Sequence, residues 1–499
     1  MDIQTVFGIF LEIVTSSAIL YILAGTVLGV IFGALPGLTA TLAIVILLPF
    51  TYGMDPSSGI AMLIAAYIGG ISGGVVASVL IGMPGTPSSI TTVYDGYPMA
   101  KQGLGGKALA IGATGSLIGS LVSLFFLVTL APQLAAVALR FSPIEYTMVI
   151  LFAFITVAGL TGNFLKSLLV SIVGLGIALI GFDPLNSTER NPFGLEIFAG
   201  GITPIPAMIG LFVVSKVFIE LEGGTQNTII PKISLKNIYP KFKELRASWT
   251  NYLRSSLIGT AIGILPGIGG TLANFVSYDQ AKKASKEPET FGKGNVDGLI
   301  ASETANNAVI AGNLIPLLAL GIPGDSVSAI LLGGLQIQGL QPGPLLFQNQ
   351  PEFIVNLFIS FFLAVIAMYV FMMTIGMRVF PKMLAFKKMY LLPFVLVMSI
   401  AGAYNIGYRV EDIWIMVIFG IIGYLFHKLD FPTLPIVITL LLGATFEMNL
   451  RTSLILTEGS LVPFFTRPIS LIFVVLTLIT IAFIIRSTLK EKRLQNKAS

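Results

Sequence analysis

The chain has 499 residues, 55% of them hydrophobic and only 11% charged, with a net charge of +5. Roughly 25% of the residues of a soluble domain are charged, so this composition excludes a soluble globular protein. The basic residues fall in a few short segments rather than on one face, which excludes a nucleic-acid surface.

Apolar segments are expected near residues 15–32, 38–50, 59–82, 107–131, 146–160, 165–182 and 199–218, and again near 253–275, 297–320, 325–340, 353–377, 390–404, 411–426, 432–446 and 468–486. Several fall short of the roughly 20 residues that a straight span needs. Some are therefore expected to be half-helices or re-entrant, giving about 12–14 membrane passes or half-passes in an all-α polytopic membrane protein. The N-terminus, Met-Asp-Ile-Gln-Thr, lacks a basic region and reads as no cleavable signal peptide. Zero cysteines exclude disulfides, thiol chemistry and thiolate metal sites.

No Lys or Arg precedes Lys101, and none lies between Lys293 and Arg378. The stretch holding Lys232, Lys236, Lys241, Lys243, Arg246 and Arg254 is expected to be cytoplasmic, as are Arg378 to Lys388 and the tail from Arg486. That places the N-terminus outside and the C-terminus inside. The expected organisation is a first membrane repeat over 1–218, a basic linker over 219–252, an inverted second repeat over 253–486 and a basic tail over 487–499.

Two stretches organise this chain: Gly82-Met-Pro-Gly-Thr-Pro-Ser-Ser89 and Gly321-Ile-Pro-Gly-Asp-Ser-Val-Ser328. Proline removes a backbone donor and glycine adds freedom, so each breaks a helix inside apolar sequence. Within a bilayer such a break is tolerated where it lines a cavity or is buried in protein. Gly82-Met-Pro-Gly85 recurs as Gly321-Ile-Pro-Gly324 at an offset of 239, and Gly33-Ala-Leu-Pro-Gly37 recurs as Gly263-Ile-Leu-Pro-Gly267 at 230. The nine extra residues fall in the lysine-rich stretch 277–293, where an insertion costs little. The charges at the ends of the two units run in opposite directions, the pattern of an inverted-topology pair.

At these residues the chain resembles the large membrane subunit, the TctA type, of the tripartite tricarboxylate transporter family. The matching stretches include 33–56, 67–89, 94–103, 263–270, 303–326 and 339–344, with FDPLNSTERNPFG at 182–194 and FEMNLRTSL at 446–454. The resemblance implies cation-driven uptake of di- or tricarboxylates through the bacterial inner membrane. It also implies a small membrane partner of the TctB type and a periplasmic binding protein of the TctC type. No cofactor is implied beyond Na⁺ or H⁺ as the coupling ion.

From the residues, a carboxylate is expected to meet exposed amides and hydroxyls at the breaks: Gly82, Pro84, Gly85, Thr86, Ser88 and Ser89, with Gly321, Pro323, Gly324, Ser326 and Ser328. Asn306 and Asn307 are further candidates, because an amide both donates and accepts. The coupling cation is assigned to the turns of Gly33, Pro36, Gly37 and Thr39 and of Gly263, Pro266 and Gly267, and to Asp325. Proline kinks that only shape packing are the plainer reading of the breaks, capping that of Asp325, hairpin shaping that of the Leu-Pro-Gly turns, and ties between helices that of Asn306 and Asn307. A stand-alone carrier and an anion channel remain as alternatives. A membrane enzyme is disfavoured, since no paired aspartates, clustered histidines or base-adjacent nucleophile stand out.

Overall fold

The computed structural model describes residues 3–160, 163–190, 193–195, 198, 200–223, 246–267, 269–384 and 391–498. It is built of helices; among the described residues the only sheet is a two-residue hairpin in which Gly181 pairs with Arg190 and Phe182 with Glu189. Most of the expected linker, with Lys232, Lys236, Lys241 and Lys243, lies outside the described residues, as does the stretch from Phe386 to Lys388.

Seven helices are long and apolar enough to cross a membrane, or eight if Ile3–Thr15 and Ala18–Ala34, bent by 69°, form one broken span. Ala40–Thr51, Pro143–Gly159, Phe164–Ala178, Ser326–Ile337 and Leu391–Gly407 are apolar but shorter, as expected of half-length segments. Local chemistry sets the boundaries. Asp55 caps Pro56–Leu80 by accepting from the Ser58 amide at 3.0 Å, and Asn295 caps Val296–Leu320 through the Asp297 amide at 2.7 Å.

Those two helices form the centre. Every residue from Ser58 to Leu80 in one and from Gly298 to Ala319 in the other is buried, as expected of helices that show no polar face to water. Glycines bring their neighbours close. A methyl group at Gly25, Gly29 or Gly33 would overlap the carbonyl oxygens of Met62, Ala66 and Gly70 respectively. Likewise, one at Gly259 would overlap the Ala305 carbonyl, and one at Gly263 would lie 2.7 Å from that of Val309. Small residues at this spacing let backbones meet, which is how helices associate in lipid. Gly29 and Gly33 precede Gly259 and Gly263 by 230 positions, and Ala66 and Gly70 precede Ala305 and Val309 by 239.

Several expectations are refined. The segment expected near 253–275 is two helices, Trp249–Gly263 and Gly269–Ala284, because the Leu-Pro-Gly turn breaks it. The short helices Ile90–Met99, Pro344–Asn349 and Val462–Thr466 went unanticipated. Gly105–Ala138 packs on the centre, with a methyl at Gly119 overlapping the Thr304 carbonyl.

The stretches 182–194 and 446–454 meet in an ion-pair cluster. Asp183 Oδ2 lies 2.6 Å from Arg190 and 2.7 Å from Arg451, and Glu447 Oε1 lies 2.7 Å and 3.0 Å from the same two. Burial pushes the Asp183 carboxyl up, but the Arg451 hydrogen bond, the Leu185 and Asn186 amides and Arg190 outweigh it and hold it well below the ordinary carboxylate range.

Candidate functional site

The two breaks are built alike. Pro56–Leu80 ends at Ile81 and Gly82, and Val296–Leu320 ends at Gly321; Gly82 and Gly321 sit at φ +68° and +73°, where a side chain is strained. After each break a reciprocal cap starts the next helix. The Asp325 amide donates to Ser328 Oγ at 2.8 Å while the Ser328 amide donates to Asp325 Oδ1 at 2.7 Å. In the first break the Thr86 amide donates to Ser89 Oγ at 3.1 Å. Asp325 thus caps a helix with one oxygen; the other, Oδ2, accepts from Tyr67 Oη at 2.6 Å.

Between the breaks lies a cavity of 340 Å³, within the roughly 300–1,000 Å³ of small-molecule sites. Its lining falls largely into pairs at the two sequence offsets. Thr39, Ala40 and Thr41 are matched by Gly269, Gly270 and Thr271, 230 positions on; Tyr67, Ile71, Thr86, Pro87 and Ser88 are matched by Asn306, Ile310, Asp325, Ser326 and Val327, 239 positions on. Thr41 Oγ1 and Ser326 Oγ, both in the lining, lie 3.3 Å apart. The Asn274 side-chain amide donates to the Ser88 carbonyl and ties the first break to Gly269–Ala284.

Asn306 is 1% exposed and lines the cavity, and neither of its side-chain polar atoms has a hydrogen-bond partner among the described residues. A buried amide is ordinarily satisfied; these two atoms are available to a ligand. Asn313 stands behind Tyr67: its Nδ2 donates to Tyr67 Oη at 2.8 Å, while its buried Oδ1 has no partner among the described residues. Gly324 is glycine because a methyl there would overlap that oxygen.

Of the residues singled out from sequence, Thr86, Ser88, Asn306, Ser326, Thr39, Gly267 and Asp325 line this cavity. Gly37, Pro84 and Gly85 border the hollow next to it, together with Thr39 and Thr86. Gly82, Ser89, Gly321, Pro323, Gly324, Ser328, Gly33, Pro36, Gly263 and Pro266 line neither. Asn307 is turned away: its Oδ1 accepts from Ser72 Oγ at 2.6 Å and its Nδ2 donates to Ser116 Oγ at 2.7 Å, so it ties helices together. The sequence reading missed Tyr67, Thr41, Thr271 and Asn313. Thr41 and Thr271 had a signal, since they stand 230 positions apart; Tyr67 has none beyond its alignment with Asn306.

The model of the Tripartite tricarboxylate transporter TctA family matches residues 19–438. The chain belongs to that family. TctA-family membership makes this a multi-pass membrane protein and a component of a tripartite transporter. Among curated relatives, an uncharacterized 52.8 kDa protein in the TAR-I ttuC' 3' region of Agrobacterium vitis is 32% identical over 95% of this chain and 94% of its own length. An uncharacterized protein in the TAR-II ttuC' 3' region of the same organism is 32% identical over 47% of this chain and 97% of its own. No solved structure matches this TctA-family chain.

Proposed function

We propose that this protein is the permease subunit of a binding-protein-dependent secondary transporter that takes up di- and tricarboxylates with a cation. The observation that carries the reading is the cavity between the two breaks, lined by pairs at matching offsets and by an unpartnered Asn306. Pairs of this kind support two inverted repeats meeting at the site, the arrangement that underlies alternating access. The substrate meets Thr86, Ser88, Asn306, Ser326, Thr41 and Thr271: hydroxyls and an amide that rotate to suit several oxyanions. Neutral donors hold an anion without the grip of a fixed cation, which suits a carrier that must release it.

Asp325 is the only charged residue among those described in the lining. A carboxylate beside a carboxylate is unfavourable at low dielectric. A Na⁺ or a proton at Asp325 removes the repulsion, so the anion binds with the cation and not without it. The free Oδ1 of Asn313, on the far side of Tyr67, adds an oxygen to that neighbourhood. Partners of the TctB and TctC types complete the reading, with the protein in the inner membrane, N-terminus outside and C-terminus inside. Uptake of labelled succinate and citrate into vesicles, with the cognate binding protein and with or without Na⁺ or pH gradients, tests it. Saturable, gradient-dependent accumulation is expected; non-saturable flux at the gradient's equilibrium identifies a channel instead.

A further inference from the structure

A second hollow, of 440 Å³, adjoins the cavity and shares Thr39, Thr41, Thr86 and Pro87 with it. Its far wall belongs to the Pro204–Glu222 span, which contributes Leu211, Phe212, Ser215, Lys216 and Ile219. Lys216 is the only charged residue among those described around this hollow. Its Nζ lies 3.1 Å from Glu220 Oε1, one turn along the same helix, and its side chain is 31% exposed.

The two breaks have different surroundings. Around the second, Pro323 and Gly324 are buried, Ile322 packs with Val149 and Ala153, and the Gly267 amide donates to the Gly324 carbonyl at 2.8 Å. Around the first, Pro84 and Pro87 are exposed and face the hollow. The space continuous with the cavity therefore lies on the side of Pro84 and Lys216. An anion moving through it passes largely apolar walls, among which Lys216 is the one cation, so its attraction is shared with no other basic group described there. Lys216 is held by Glu220 in a pair that leaves no net charge, and an incoming carboxylate exchanges with that partner at modest cost because the pair is partly solvated.

We propose that Lys216 is a transfer site for the transported carboxylate: the anion passes between the neutral donors of the cavity and this ammonium on its way to water. The inference rests on the cavity's being an organic-anion site, and it adds a second, cationic station beside it.

The chain has no cysteine, so single cysteines can be placed in the natural background. Lys216→Cys is expected to slow succinate and citrate uptake about tenfold in proteoliposomes that hold the small membrane subunit and are supplied with the cognate binding protein. Aminoethyl methanethiosulfonate, which restores a cation, should recover most of the lost rate, and the sulfonatoethyl reagent should lower it further. Wild-type uptake by Lys216→Cys, or equal effects of the two reagents, overturns the proposal. Phe212→Cys gives a readout that needs no transport. With Lys216 present the anionic reagent should gain on the cationic one, and adding Lys216→Gln should reverse that preference. A ratio indifferent to Lys216 also overturns it. A wild-type protein that takes up neither acid, while the Phe212→Cys ratio follows Lys216, defeats the transport reading and leaves the anion-accepting hollow standing.

Discussion

Asn306 and Asn307 are adjacent and chemically identical, yet the helix turns them to different tasks. Asn306 presents two unpartnered atoms to the cavity, while Asn307 bridges Ser72 and Ser116. A hydrogen bond to a charged ligand is worth roughly 1.5–3 kcal/mol, so Asn306→Leu should raise the half-saturation concentration for uptake at least about tenfold. Melting should be little changed, since no protein partner is lost. Asn307→Leu should do the reverse, lowering the melting temperature by stranding two hydroxyls. Glu303, one turn before Asn307, is tied through one oxygen, its Oε2 having no partner among the described residues. It is fully buried, and its Oε1 accepts from Thr92 Oγ1 at 2.5 Å. Glu303→Leu leaves that hydroxyl unsatisfied, a loss of roughly 1–3 kcal/mol, measurable by thermal denaturation in detergent; Glu303→Gln, which keeps an acceptor, should recover most of it.

Among the elements, the breaks were legible because glycine and proline announce themselves in apolar sequence, and because each motif occurs twice. The site's other walls were not. Thr41 and Thr271 show only in their 230-position spacing, not in any local motif, and a tyrosine at 67 in a glycine-rich run offers no pattern of its own. The cluster of Asp183, Arg190, Glu447 and Arg451 joins residues 257 and 268 positions apart; both stretches were noticed, but one sequence does not reveal their pairing. That cluster carries a pH prediction. Because the Asp183 carboxyl is held below its ordinary value in the folded protein, its contribution is full above about pH 4 and is lost as the pH falls through the folded value. Asp183→Asn should therefore melt below wild type at about pH 7, and the gap should narrow towards about pH 3. Helix contacts carry another prediction. Gly33→Ala would drive a methyl into the Gly70 carbonyl, and overpacking of this kind costs roughly 1–3 kcal/mol. Gly8→Ala, with open space around it, is the matched control in the same thermal assay.

For the whole molecule, a polar cavity lies inside a mostly apolar chain. Two fully buried helices end in matched breaks, and the cavity between them holds hydroxyls, one free amide and one carboxylate. The polytopic helical class followed from composition alone; the meeting of the two breaks did not, because it depends on contacts between residues more than 200 positions apart. Whether that cavity is the anion site is tested most directly by equilibrium binding of labelled citrate and succinate to the purified protein, wild type against Asn306→Leu, across a series of Na⁺ concentrations and pH values. Wild type should bind with an affinity that rises with the coupling cation, and the variant should need an at least about tenfold higher concentration for half-saturation while melting at the same temperature. Undiminished binding by the variant, with the same cation dependence, would contradict the account.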